Sequence, residues 1–169
     1  LANKFGIMSN VEFDIHDVIV AADWIDRNGH LNGVQYLSIF DAASDAFLTR
    51  VGFDHGALAQ GVATVTAEIH LRYLNEARLG DPLRILTRVV DVDLKRCHLY
   101  QEMTHRDSEI TVAAAEQMHL SFDLGARRVA PFPEAIMNQL QTIQRRHARL
   151  PKPVHPGRTV SMHRSNSRD

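Results

Sequence analysis

The sequence is poor in cysteine, in net charge and in long apolar runs, and each shortage excludes something. Cys97 is the only cysteine among 169 residues, so no disulfide can form within the chain, and a reducing, cytoplasmic setting is expected. Lys and Arg number 19 against 20 Asp and Glu, for a formal charge of −1. Nucleic-acid binding through bulk positive charge is therefore not expected. No apolar run approaches the ~18 residues of a membrane-spanning helix, so no membrane partner is expected. Ten histidines are present, yet none is paired at helical or strand spacing with a third ligand. No metal and no cofactor are expected.

Apolar residues make up 44% and charged residues 23%, as in a globular protein that buries a core. The length suits one domain. That domain is placed at 11–147. Residues 1–10, around Met8, are read as an N-terminal extension or tag remnant. Residues 148–169, rich in Pro, Ser, Arg and His without an apolar period, are read as a polar tail.

Val11–Ala21 reads as a first strand, followed by the turn-rich run Asp23–Asn32. A long helix is expected from Gly33 to Val51. Asn32 is its N-cap, Gln35 stands at the capping-box position, and Gly52 is the left-handed stop. The expected apolar stripe is Val34, Leu37, Phe40, Phe47, Leu48 and Val51. Four strands follow. Along Ala63–Tyr73, Ala63, Val65, Ala67, Ile69, Leu71 and Tyr73 are expected on one face and Thr64, Thr66, Glu68, His70 and Arg72 on the other. Leu83–Val92 is apolar on both faces and reads as central. Arg96–His105 and Ile110–Asp123 form a hairpin, with Ile110, Val112, Ala114, Met118, Leu120 and Phe122 sharing a face. A helix near Pro133–His147 ends the domain. One long helix cannot cover both faces of such a sheet, so a homodimer or homotetramer is expected.

Asp26 to Gly33 is the segment that carries chemistry. A carboxylate precedes a capped helix start, where free N–H groups and the helix dipole can polarise a thioester carbonyl and hold an oxyanion. A carboxylate at that point can attack the carbonyl carbon or activate water. An ordinary capping or turn role for Asp26 and a turn role for His30 are the structural alternatives.

Asp26-x-x-Gly29-His30-Leu31-Asn32, followed by Tyr36 and Phe40-Asp41, resembles the signature of the 4-hydroxybenzoyl-CoA thioesterase group of hotdog proteins. Tyr73-Leu74-x-Glu76-x-x-x-Gly80-Asp81-x-Leu83 is similar to that group's strand-to-strand corner. Within the group, Asp23-Trp24-Ile25-Asp26-x-Asn28-Gly29-His30-x-Asn32 is similar to the carnitine-pathway branch, the betainyl-CoA thioesterases. Arg27 stands where that branch has an aromatic residue, and Gly33 and Gln35 where it has more apolar ones. The resemblance implies an α+β hotdog fold, an antiparallel sheet wrapped round one long helix, with an active site at a dimer interface. It implies hydrolysis of a short-chain acyl-CoA, betainyl-CoA among the candidates. Asp26 would be nucleophile or general base, the Gly33 amide the oxyanion donor, and His30 and Asn32 would position the loop. Trp24, Tyr36 and Tyr73 would face the acyl group, with Glu76 as counter-charge to a cation. Lys95, Arg96, Arg127 and Arg128 would meet the CoA phosphates. A non-catalytic acyl-CoA-binding hotdog module and a hotdog hydratase or dehydratase are the competing readings.

Overall fold

The computed structural model describes residues 14–155. The expected extension over 1–10, the first residues of the expected opening strand and residues 156–169 of the expected tail lie outside them. The long helix forms as α1, Gly33–Arg50. Asn32 caps it, its Oδ1 accepting the Val34 N–H at 3.0 Å. Gln35 does not complete a reciprocal box among the described residues, because the Asn32 N–H already donates to the Trp24 carbonyl at 2.9 Å. At the far end Gly52 has φ +114°. The Gly52 and Phe53 N–H groups return to the carbonyls of Thr49 and Leu48, closing a left-handed stop.

Strands β1 (Asp14–Ile19), β2 (Val62–Tyr73), β3 (Pro82–Val92), β4 (Arg96–His105) and β5 (Thr111–Asp123) form one antiparallel sheet in the order β1-β3-β4-β5-β2. A two-residue strand, β6 (Arg128–Val129), adds to β5. Helix α2 (His55–Ala59), a 3-10 turn at Ala22–Trp24 and β6 are too short to carry a sequence period, and the sequence reading missed them. Helix α3 (Glu134–His147) packs on β3. No helix among the described residues is long and apolar enough to cross a membrane.

Helix α1 lies on the inner face of the sheet. Its first half packs Tyr36, Ile39, Phe40 and Ala43 against Leu83, Ile85, Met103, Ala113 and Ala115. Its second half packs Phe47, Leu48 and Val51 against Val89, Cys97, Leu99 and the α3 residues Ile136 and Leu140. Burying a side chain such as Phe40 contributes ~1.5–3 kcal/mol. Two expected faces need correction. On α1, Val34 is 70% and Leu37 37% exposed, while Tyr36, Ile39, Ala43 and Ser44 are buried, so the buried stripe is rotated away from the expected one.

On β2, Ala67 is an extra residue between Thr66, paired with His119, and Glu68, paired with Met118. This bulge exchanges the faces. Thr64 and Thr66 join Ile69, Leu71 and Tyr73 on the inner face, whereas Ala63 and Val65 turn outward. On β5, Ala114, Met118, Leu120 and Phe122 share a face as read, and it is the outer one; Val112 instead joins the core cluster, and the inner face carries Ala113, Ala115, Gln117, His119 and Ser121. Strand β3 is interior, as expected, but β4 holds the middle of the order.

Between the two apolar clusters runs a buried polar chain. Thr66 Oγ1 meets His119 Nδ1 at 3.4 Å, His119 Nε2 meets Gln117 Oε1 at 3.0 Å, Gln117 donates to Gln101 at 2.7 Å, and Gln101 donates to Thr87 at 3.1 Å. Each link satisfies the next, so polar groups that would cost ~1–3 kcal/mol apiece if unpaired can lie in the core. The segment after α3 turns back along the sheet edge. His147 Nδ1 accepts the Val89 N–H at 2.9 Å, and Arg88 donates to the carbonyls of His147 and Pro151. Residues 148–151 are thereby tied to the sheet.

Candidate active site

The loop after the 3-10 turn is closed by a bridge between Ile25 and Leu31. Inside it, the Asp26 N–H donates to the His30 carbonyl at 2.8 Å and the Gly29 N–H to the Asp26 carbonyl at 3.0 Å. Gly29 has φ +81°, which a side chain at that position would strain. The Asp26 carboxylate accepts the Asn28 N–H at 2.7 Å and the His30 N–H at 3.3 Å. The Asn28 N–H, then that of His30 and the Asn28 side chain, hold the Asp26 carboxyl below its usual range. Asp26 is thus an ionised, surface-facing carboxylate on a loop that its own hydrogen bonds define.

The loop is bound to the corner that joins β2 to β3. The Leu31 N–H donates to the Ala77 carbonyl at 2.7 Å. The Tyr36 hydroxyl donates to the Asn75 carbonyl at 3.4 Å, and the Tyr73 hydroxyl to the Gly33 carbonyl at 3.0 Å. Tyr36 and Tyr73 meet edge to face with ring centroids 5.2 Å apart. Tyr36 is buried and Tyr73 is 58% exposed. Burial, and then electrostatic repulsion from Tyr73, Glu76 and Asp26, push the Tyr36 hydroxyl above its usual range, which sets these groups in one neighbourhood. Val34 takes the Asn32 side chain, and the Gly33 N–H has no hydrogen-bond partner among the described residues. A Cβ at Gly33 would stand 3.4 Å from the Tyr73 hydroxyl.

The structure therefore brings Asp26, His30, Asn32, Gly33, Tyr36, Tyr73 and Glu76 together at one end of the sheet. Trp24 is half-buried against the inner core, and its carbonyl fixes Asn32. Glu76 is not free: one oxygen lies 2.9 Å from His30 Nε2 and the other 2.6 Å from Arg78. The sequence reading missed Arg78, whose nearness to Glu76 at i+2 on an irregular corner has no periodic signal. Arg27 is exposed. No group of three potential metal ligands is assembled among the described residues. Cys97 is fully buried, and burial pushes its thiol up to about 12, far from a nucleophile's range.

Lys95, Arg96, Arg127 and Arg128 are exposed and lie at the other end of the same sheet. Arg96 sits opposite Leu120 on β5, and Arg128 opposite Asp123, while the loop's corner adjoins Val112 and Ala113. At ~3.3 Å per residue these ends are about 25 Å apart along β5. Arg96 is paired with Asp93 at 2.5 Å. Leu94, Lys95, Arg96, Leu120 and Val129 border an open hollow of about 380 Å³ there.

Residues 20–140 match the thioesterase-like superfamily. The L-carnitine dehydrogenase/betainyl-CoA thioesterase of Rhizobium meliloti is 36% identical over 88% of this chain, which spans only 30% of that protein's length. The betainyl-CoA thioesterase of Pseudomonas aeruginosa is 31% identical over 87% of this chain and 93% of its own. Among solved structures, a Staphylococcus aureus protein in complex with CoA superposes with a TM-score of 0.85 at 25% identity, covering 89% of this chain and 96% of that one.

Proposed function

The chain belongs to the thioesterase-like superfamily, and from that premise we propose that it hydrolyses a short-chain acyl-CoA, betainyl-CoA foremost, to the free acid and CoA. The observation that carries the reading is the unpartnered Gly33 N–H at the start of an 18-residue helix, on the loop that presents the ionised Asp26. The thioester oxygen accepts from that N–H, which stabilises the oxyanion as the carbonyl carbon becomes tetrahedral. Asp26 either attacks that carbon, so that water later cleaves the acyl-enzyme anhydride, or takes a proton from the attacking water. Both routes release CoA thiolate and the acid. The betainyl preference draws on the named relatives. One methylene separates the betainyl ammonium from its carbonyl, so the cation must lie beside Gly33. Tyr73, with Tyr36 behind it, is the aromatic face at that distance.

The working unit in this reading is a homodimer. Strand β2 is an edge of 12 residues. Tyr73, Val34 and Leu37, exposed apolar side chains, stand at the end of that edge beside the helix start. Antiparallel pairing of two such edges sets one protomer's catalytic end beside its partner's basic end. Lys95, Arg96, Arg127 and Arg128 then hold the CoA phosphates of the substrate in the other protomer's site. The test is Asp26→Asn, assayed by release of free CoA from betainyl-CoA. Loss of ~10²–10⁴-fold in kcat with an intact fold is expected, and a variant with near-normal turnover overturns the assignment.

A further inference from the structure

We propose that Glu76 is a positioning residue for the hydrolysis, acting through His30 on Asp26, and that it is not the counter-charge of a cationic acyl group. The inference rests on the reading of Asp26 given above. The residue His30 is the hinge of the contact chain. Its side chain meets Glu76 at 2.9 Å. Its carbonyl accepts the Asp26 N–H at 2.8 Å, and its own N–H donates to the Asp26 carboxylate at 3.3 Å. A shift of the His30 ring therefore moves both main-chain groups that orient Asp26.

Glu76 is fixed in its turn. Arg78 engages its second oxygen through both Nε, at 3.1 Å, and a terminal nitrogen, at 2.6 Å. The Arg78 N–H is held by Asp81 at 2.8 Å, in the turn that begins β3. The neighbouring Asn75 is anchored to the start of β5 through its side chain and main chain. The loop that carries the carboxylate is thus referenced to the rigid sheet through Glu76. With both oxygens facing basic groups, Glu76 has little negative charge to offer a quaternary ammonium.

His30 and Glu76 are 38% and 50% exposed, so their pairing adds little to the stability of the fold. A misplaced catalytic group, by contrast, costs up to ~10²-fold in rate. This separates positioning from a purely structural role. Glu76→Gln, His30→Gln and the double variant are compared by kcat, KM and thermal midpoint, with betainyl-CoA and isovaleryl-CoA, a neutral thioester of similar size. Each single variant is expected to lose ~10-fold or more in kcat on both thioesters, with KM and the midpoint nearly unchanged. The double variant is expected to lose no more than either single one, because the two act as one unit. A rise in KM confined to betainyl-CoA overturns the inference in favour of a counter-charge. Unchanged kcat, or additive losses in the double variant, overturns it as well. Asp26→Asn is run beside them: if it stays active the catalytic reading fails, whereas an inactive Asp26→Asn with a fully active Glu76→Gln removes the positioning role alone.

Discussion

Acid should loosen this fold through one histidine. His119 is 2% exposed, and burial lowers its imidazole to about 4 from an ordinary 6.5. The neutral ring donates from Nε2 to Gln117 and accepts at Nδ1 from Thr66. An unfolded chain binds a proton here between pH 6.5 and 4, and the folded chain refuses it. The folded state holds this advantage in full above pH 6.5, loses it as pH falls through that window, and has none left below about 4. At about 1.4 kcal/mol per pH unit, the window contributes roughly 3 kcal/mol. That is a large part of the ~5–15 kcal/mol that holds a typical domain together. Urea denaturation followed by Trp24 fluorescence, at fixed protein concentration and a series of pH values, measures it. His119→Gln is the comparator, since Gln can donate to Gln117 and accept from Thr66 without titrating. With a urea slope of ~2 kcal/mol per M, the wild-type midpoint should fall about 1.5 M further than the variant's between pH 7 and 4. Parallel curves for the two proteins over that range would refute the argument.

Because Asp26 is held below the ordinary carboxylate value of 3.8, and the proposed mechanism uses its ionised form, the acid limb of kcat/KM should lie below pH 3.8. Initial rates taken within the first seconds after a pH jump measure it ahead of acid unfolding, and a limb near pH 6 contradicts the loop geometry. Replacing Arg96, Arg127 and Arg128 together with Ala should raise KM for acyl-CoA and spare kcat. That effect should shrink as salt shortens the screening length to ~3 Å at 1 M, and an unchanged KM shows them to be solvated charges only. Gly52→Ala should cost ~1–3 kcal/mol in thermal or urea stability. Its φ of +114° suits glycine, and a Cβ would come within 3.0 Å of Ile136. Turnover per folded molecule should not change, and a variant as stable as wild type contradicts the strain argument.

The elements were legible where their signals are local. Asn32 and Gly52 mark the ends of α1 because capping depends on a few adjacent residues, and both perform as read. The Asp26–Gly33 loop was legible for the same reason. Faces were less so. The stripe of α1 was read from the size of Val34 and Leu37, yet these two are exposed while the small residues Ala43 and Ser44 are buried. On β5, Gln117 and His119 find their hydrogen-bond partners on neighbouring strands, in Gln101 and Thr66, and a single strand's sequence does not announce its cross-strand partners. The placement of Lys95, Arg96, Arg127 and Arg128 at the end of the sheet away from Asp26 follows from strand direction. It emerges only once β2, β4 and β5 are paired.

The bulge at Ala67 gives the two halves of β2 opposite parity. Counted from Tyr73, odd positions face the helix; counted from Val62, even ones do. If all twelve residues, Ala67 included, were paired without a bulge, Ala63 and Val65 would share the hidden side with Ile69. Instead they are carried outward to lie beside Phe122 and Leu120, their cross-strand neighbours. This outward apolar patch is therefore a product of counting rather than of composition. Removing Ala67 would leave Thr66 opposite His119 and Glu68 opposite Met118 in regular alternation, so Ala63 and Val65 would stay outside and Thr66 would still serve the ring nitrogen.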